Sequence, residues 1–186
     1  MKTNTMKTNS SEPGRELLAS VIECLSDGER LLSGMDAEDY TRKLPVAFNA
    51  SIGGHYRHCL DHFRSVLHAA AGGELNYDRR ERGTEIETNP RAAVLASERL
   101  REAFAQLDPL CLGRPIRVTC QTSKAAEGSQ MADSSLGREI MYSVSHAVHH
   151  YALIGIMAGM MSLTMPQGFG VAPSTLKHQE ETARAA

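Results

Sequence analysis

Apolar residues recur at helical spacing in four stretches of this chain, separated by polar or glycine- and proline-rich connections. In the first, Leu17, Leu18, Val21, Ile22, Leu25, Leu31 and Leu32 fall on one face, and Ser33-Gly34 offers a stop. The second begins near Asn49 to Ser51, either of which can cap it, and runs to Ala71 before Gly72-Gly73. Its early Gly53-Gly54 pair weakens a helix; close approach to a neighbour would justify it, and a frayed first turn is the plainer account. The third starts at Asn89-Pro90, a cap followed by proline at the first helical position. It carries Val94, Leu95, Leu100, Phe104 and Leu107 and stops before Asp108-Pro109. The fourth, capped by Ser134 or Ser135 and reaching about Met160, holds the most apolar long segment.

The connections differ in kind. Residues 35–49 are acidic and predict a link with one short turn, whereas 74–89 are charged, lack an apolar period and predict a long crossover. Between the third and fourth helices, Arg114 to Thr122 alternates β-branched residues, and Gly128 supplies a turn. That pattern predicts a short hairpin whose second arm covers about 129–133. Residues 1–11 are polar and predict a disordered tail. Residues 164–186, with Pro166, Gly168, Gly170 and Pro173, predict a loop and a short helix capped by Ser174 that packs on the bundle. The fold class expected is therefore all-α, with a four-helix bundle over residues 12–163.

Composition narrows the function. A formal net charge of −2, no tryptophan and few aromatic residues argue against a nucleic-acid binder. The four cysteines form no Cys-x-x-Cys pair, and no secretory apolar region occupies the first ten residues. These features predict free thiols and a cytoplasmic setting. Histidines, serines and glycines interrupt the apolar run at 141–163, which argues for a buried helix rather than a membrane span.

Histidine is where chemistry concentrates. His55, His58 and His62 stand at i, i+3 and i+7 on the second helix, and His146 and His150 stand one turn apart on the fourth, with His149 on their flank. A single histidine on such a face is more often a hydrogen-bonded core residue than a ligand. Two stripes in one bundle can converge without any loop, and three nitrogen ligands with an open position suit a catalytic metal. No His-Glu-x-x-His, no Glu-x-x-His and no Cys-x-x-Cys-His is present, so a mononuclear three-histidine site remains.

Four helices, a histidine inside helix two and a His-x-x-x-His pair on helix four resemble the DinB-like superfamily of metalloenzymes. In that family the helix-two ligand follows a serine near the helix start by seven residues. Ser51 then designates His58, and the last-helix pair falls on His146 and His150. The resemblance implies an up-down-down-up bundle, which accounts for the long crossover between helices two and three. It also implies a divalent ion (Zn, Ni or Fe) and relatives that include S-transferases using low-molecular-weight thiols.

The expected function is thus a metal-dependent enzyme with thiol-transferase-like or hydrolase-like chemistry on a small molecule. The alternative is a non-enzymatic metal-binding or interaction bundle with structural histidines. His55, His62, His149 and Tyr142 are candidates for catalytic or ligand-orienting roles. Tyr77, Arg79, Arg80 and Arg82 are candidates for binding an anionic substrate, although such an arginine run is usually a solvated loop. Cys59 reads as a buried inert thiol. The partner expected is a small-molecule substrate, with a low-molecular-weight thiol as one candidate, and neither nucleic acid nor membrane. A homodimer through an apolar helix face is a permitted arrangement.

Overall fold

The computed structural model describes residues 12–185, so the disordered tail expected at 1–11 lies outside the described residues. The protein is predominantly helical with a small three-stranded sheet. Four long helices dominate: α1 (Glu12–Leu32), α3 (Ile52–Ala70), α4 (Pro90–Ala105) and α5 (Leu136–Met160). Two shorter ones are α2 (Ala37–Thr41), in the link between α1 and α3, and α6 (Pro173–Ala185), which follows α5. Both α1 and α3 pack against α4 and α5, so the long helices close into a ring around the core.

Local chemistry sets the helix ends. Ser51 caps α3, its hydroxyl accepting from the Gly54 amide at 3.1 Å. The Asn89 side chain accepts from the amides of Arg91 and Ala92 ahead of α4, and Ser135 caps α5 through the Arg138 amide. On α1, Leu18, Val21, Leu25, Gly28 and Leu32 are buried at the expected three-to-four spacing. Gly28 has a steric role: a Cβ there would lie 2.4 Å from the Tyr151 hydroxyl and 2.5 Å from the Tyr56 ring. Its absence lets the two stacked tyrosines, 6.2 Å apart, fill the centre of the bundle.

The connections are more ordered than their composition predicts. In the crossover, β1 (Leu75–Asn76) pairs parallel to β2 (Pro115–Cys120), Leu75 opposite Val118, and Leu75 and Tyr77 are buried. Two residues are too few to print an alternation on the sequence. The crossover ends in a 3₁₀ turn, Glu85–Glu87. The 35–49 link holds both α2, capped by Asp36, and a second 3₁₀ turn, Pro45–Ala47. Its buried Tyr40 donates to the Ile86 carbonyl at 2.7 Å, tying this link to the crossover.

The hairpin is present, with β3 (Gln130–Ser135) antiparallel to β2 and running directly into α5. In the tail, the loop before α6 does the packing: Phe169 stacks on Tyr151 at 4.7 Å, while no residue of α6 is buried. Among the described residues, no helix is long and apolar enough to cross a membrane.

The two glycines at the start of α3 serve different ends. A Cβ on Gly53 would lie 2.2 Å from the Glu87 carbonyl oxygen, whereas on Gly54 the nearest atom is the Ser51 hydroxyl at 3.5 Å. Close approach, to the crossover's 3₁₀ turn, therefore explains Gly53 alone. Gly53→Ala should lower stability by about 1–3 kcal/mol through overpacking. Gly54→Ala should be neutral or stabilising by up to about 1 kcal/mol, as removing a helical glycine allows. Urea unfolding midpoints at unchanged slope measure both.

Candidate metal centre

The helices α3 and α5 run antiparallel, and their histidines meet as successive rungs. His55 Nδ1 lies 2.9 Å from His150 Nδ1, and His58 Nε2 lies 2.9 Å from His146 Nε2. The His58 ring is also edge-on to His150 at 4.8 Å between centroids. Next along α3, His62 sits 4.1 Å from the His146 ring and stacks on Tyr77 at 4.6 Å. One ligand atom from each of His58, His146 and His150 lies within 4.8 Å of the other two. The three rings are half-buried, at the rim of the core rather than in its centre.

Several other candidates fall in place around this group, and some do not. Tyr142 stacks on His146 at 5.6 Å, one turn away on α5. His149 adjoins His150 at 5.6 Å but is exposed, outside the converging group. Tyr77 lies behind His62, buried, its hydroxyl donating to Glu139 Oε2 at 2.7 Å; it is not at a mouth of the site. Arg80 brings its guanidinium to 3.5 Å from His58 Nδ1. Arg79 and Arg80 line a cavity of about 550 Å³ beside α3, and Arg82 does not. Cys59 is fully buried and burial drives its thiol well above the ordinary range, the environment of an inert thiol.

Sequence reasoning missed Glu139. This carboxylate is fully buried, accepting from Tyr77, from the Ser134 hydroxyl at 2.6 Å and from Arg138 at 2.5 Å. Burial works against its ionisation, but these three hydrogen bonds outweigh it and hold the carboxyl below its usual range. In the chain it reads only as an acidic residue in the first turn of a helix, where the dipole favours one. Nothing in the sequence separates it from such a partner.

Electrostatics favour the ligating form of the histidines. Burial, then the neighbouring imidazoles and Arg80, lower His58 and His62 to about 3. Burial and the surrounding histidines lower His150 to about 3 as well. His55 and His146 shift down for the same first reason. Neutral imidazoles at neutral pH are the species a metal requires. His62 is buried, and its Nδ1 has no hydrogen-bond partner among the described residues.

The same shifts make the metal-free protein acid-sensitive. Unfolded, these histidines charge near 6.5; folded, His58, His62 and His150 stay neutral down to about 3. Between those limits the unfolded chain binds more protons, so stability present above 6.5 is lost as pH falls. Thermal melts of chelated protein should therefore drop steadily across this window. In a His58→Gln, His150→Gln double variant the slope should be shallower; an unchanged slope would place the acid sensitivity elsewhere.

Comparison with known proteins agrees with this picture. Over 104 residues the chain is 33% identical to FK506-binding protein 5 of Rhizopus delemar, covering 56% of this chain and 27% of that protein. The chain thus spans about a quarter of the length of this relative. No solved structure matches it. The DinB superfamily profile matches residues 22–154, a span that includes α3, most of α5 and every histidine of the cluster, and the chain belongs to the DinB superfamily.

Proposed function

We propose that His58, His146 and His150 bind one divalent metal ion, Zn, Ni or Fe, and that the protein is a metal-dependent enzyme acting on a small molecule. The observation that carries this reading is the convergence of three imidazoles from two separate helices, their ligand atoms within 4.8 Å of one another. The donor set fits. A tetrahedral ion with bonds of about 2.0–2.1 Å spaces its nitrogens about 3.3 Å apart. The 2.9 Å between His58 and His146 needs only a slight spreading to reach that. Three neutral ligands also leave a position open for a reactant.

When bound, such an ion supplies Lewis-acid activation of a water or a thiol at neutral pH. The chain's own residues supply the rest. With a proton on Nδ1, His150 donates to His55 and turns Nε2 toward the centre, the orienting contact metal-bound histidines commonly have. His62 lies 4.1 Å from the His146 ring, its Nδ1 without a partner among the described residues, and so offers a hydrogen-bonding group beside the three ligands. Glu139 fixes Tyr77, and Tyr77 fixes the His62 ring by stacking. Thiol transfer and hydrolysis both suit this arrangement, with a low-molecular-weight thiol as candidate co-substrate. For the four long helices we propose the up-down-down-up order. The long crossover supports it, as do the pairings of α1 with α4 and of α3 with α5.

A second reading is a metal-binding module without catalysis. It is favoured by the relative, in which the matched segment is only 27% of a longer protein named for binding FK506. Retained fold and metal with no turnover of any thiol or ester substrate would support it.

Metal analysis of protein purified without a polyhistidine tag tests the main reading. About one equivalent per chain is expected, as a mononuclear site requires. His55→Ala should weaken binding by about 10–100-fold, the usual effect of an orienting partner. His146→Ala should weaken it further. Less than about a tenth of an equivalent after reconstitution removes the proposal, since a three-ligand site is expected to fill.

A further inference from the structure

With a divalent ion bound, the candidate centre would carry a positive charge that its histidines do not neutralise. Its three ligands are neutral imidazoles, so a divalent ion would keep its full charge. Arg80 adds a guanidinium 3.5 Å from His58 and makes no ion pair with a carboxylate among the described residues. Of the nearby carboxylates, Asp61 pairs with Arg57 and Arg64, Glu139 is held by Tyr77, Ser134 and Arg138, and Asp78 accepts from the Gln121 amide and the Ser129 hydroxyl.

Beside this centre lies the cavity of about 550 Å³ lined by Arg64, Arg79 and Arg80 together with Asp61, Glu74 and Glu81. Arg79, like Arg80, lacks a carboxylate partner among the described residues. A guanidinium without a carboxylate partner, beside a cavity, attracts an anion. Guanidinium groups present a donor fork that matches carboxylate and phosphate oxygens.

Resting on the metal-site reading above, we propose that the substrate is a small oxyanion-bearing molecule anchored by Arg80, with Arg79 beside it. The anchored group lies in the cavity, and the reactive end reaches the three-histidine centre. Arg80 thereby acts as a specificity-determining residue, and the crossover that carries it forms the substrate-binding wall.

The test uses the full chain loaded with zinc, and zinc content is measured first. Failure to take up zinc sinks the metal-site reading itself. With zinc bound, succinate, inorganic phosphate and neutral succinamide are titrated in separate calorimetric experiments. At least one of the two anions should bind, about tenfold or more tighter than succinamide, and whichever is tighter assigns carboxylate or phosphate. Arg80→Met should weaken that anion about tenfold or more at unchanged zinc content, and Arg79→Met by less. Three results overturn the inference while leaving the metal site standing: no anion binding, equal binding of succinamide, or unchanged anion affinity in Arg80→Met.

Discussion

The packing of α3 against α5 is the constraint on which the site depends. On α3 the sequence places Tyr56, Cys59, Leu60 and Phe63 in the core, and on α5 Ile140, Ala147, Tyr151 and Ile154. Those apolar faces fix the register of two antiparallel helices, and the register decides which imidazoles meet. His55 opposes His150, His58 opposes His146, and His62 comes next to Tyr142. A shift of one residue on either helix would turn a rung by about 100° and disperse the group. The chemistry therefore rests on hydrophobic burial that contains no histidine.

The crossover between α3 and α4 is held just as deliberately. At its start, β1 is paired with β2 and Leu75 is buried. At its end, the Ile86 carbonyl accepts from Tyr40, Glu87 pairs with Arg57, and the Glu87 carbonyl rests on Gly53. Arg57 pairs with Asp61 as well and is mostly buried, so this is a closed ionic network, not a surface contact. Breaking one partner of such a network strands a charge, which makes the arrangement resistant to small changes. Anchored at both ends, the segment presents Arg79 and Arg80 beside α3, where a free loop would spread them over many positions.

What was legible in the chain follows from this physics. The histidine stripes, the long helices and the caps Ser51, Asn89 and Ser135 are written in local spacing, and local spacing is what helices obey. The hairpin was legible for the same reason, though β3 extends to Ser135, the residue that caps α5. The short strand β1 was not, because pairing with β2 is a long-range event that two residues cannot announce. Nor was the role of Glu139, whose partners Tyr77 and Ser134 come from different segments. The neighbourhood of Arg80 and His58 was invisible too, since twenty-two positions separate them and only the folded crossover closes that distance.

One atom bears on the choice between a structural and a working histidine cluster. His62 is 6% exposed, and its Nδ1 finds no partner among the described residues. Leaving a buried polar atom unpaired costs about 1–3 kcal/mol. A histidine retained only for packing would be expected to recover that loss by a backbone or side-chain contact. Two groups capable of hydrogen bonding lie near its ring, Tyr77 stacked on it and Tyr142 tilted at 5.9 Å, yet neither partners Nδ1. The cost is sustained next to the three converging imidazoles. Under the metal-site proposal, that unpaired nitrogen is a hydrogen-bonding group available to a bound reactant.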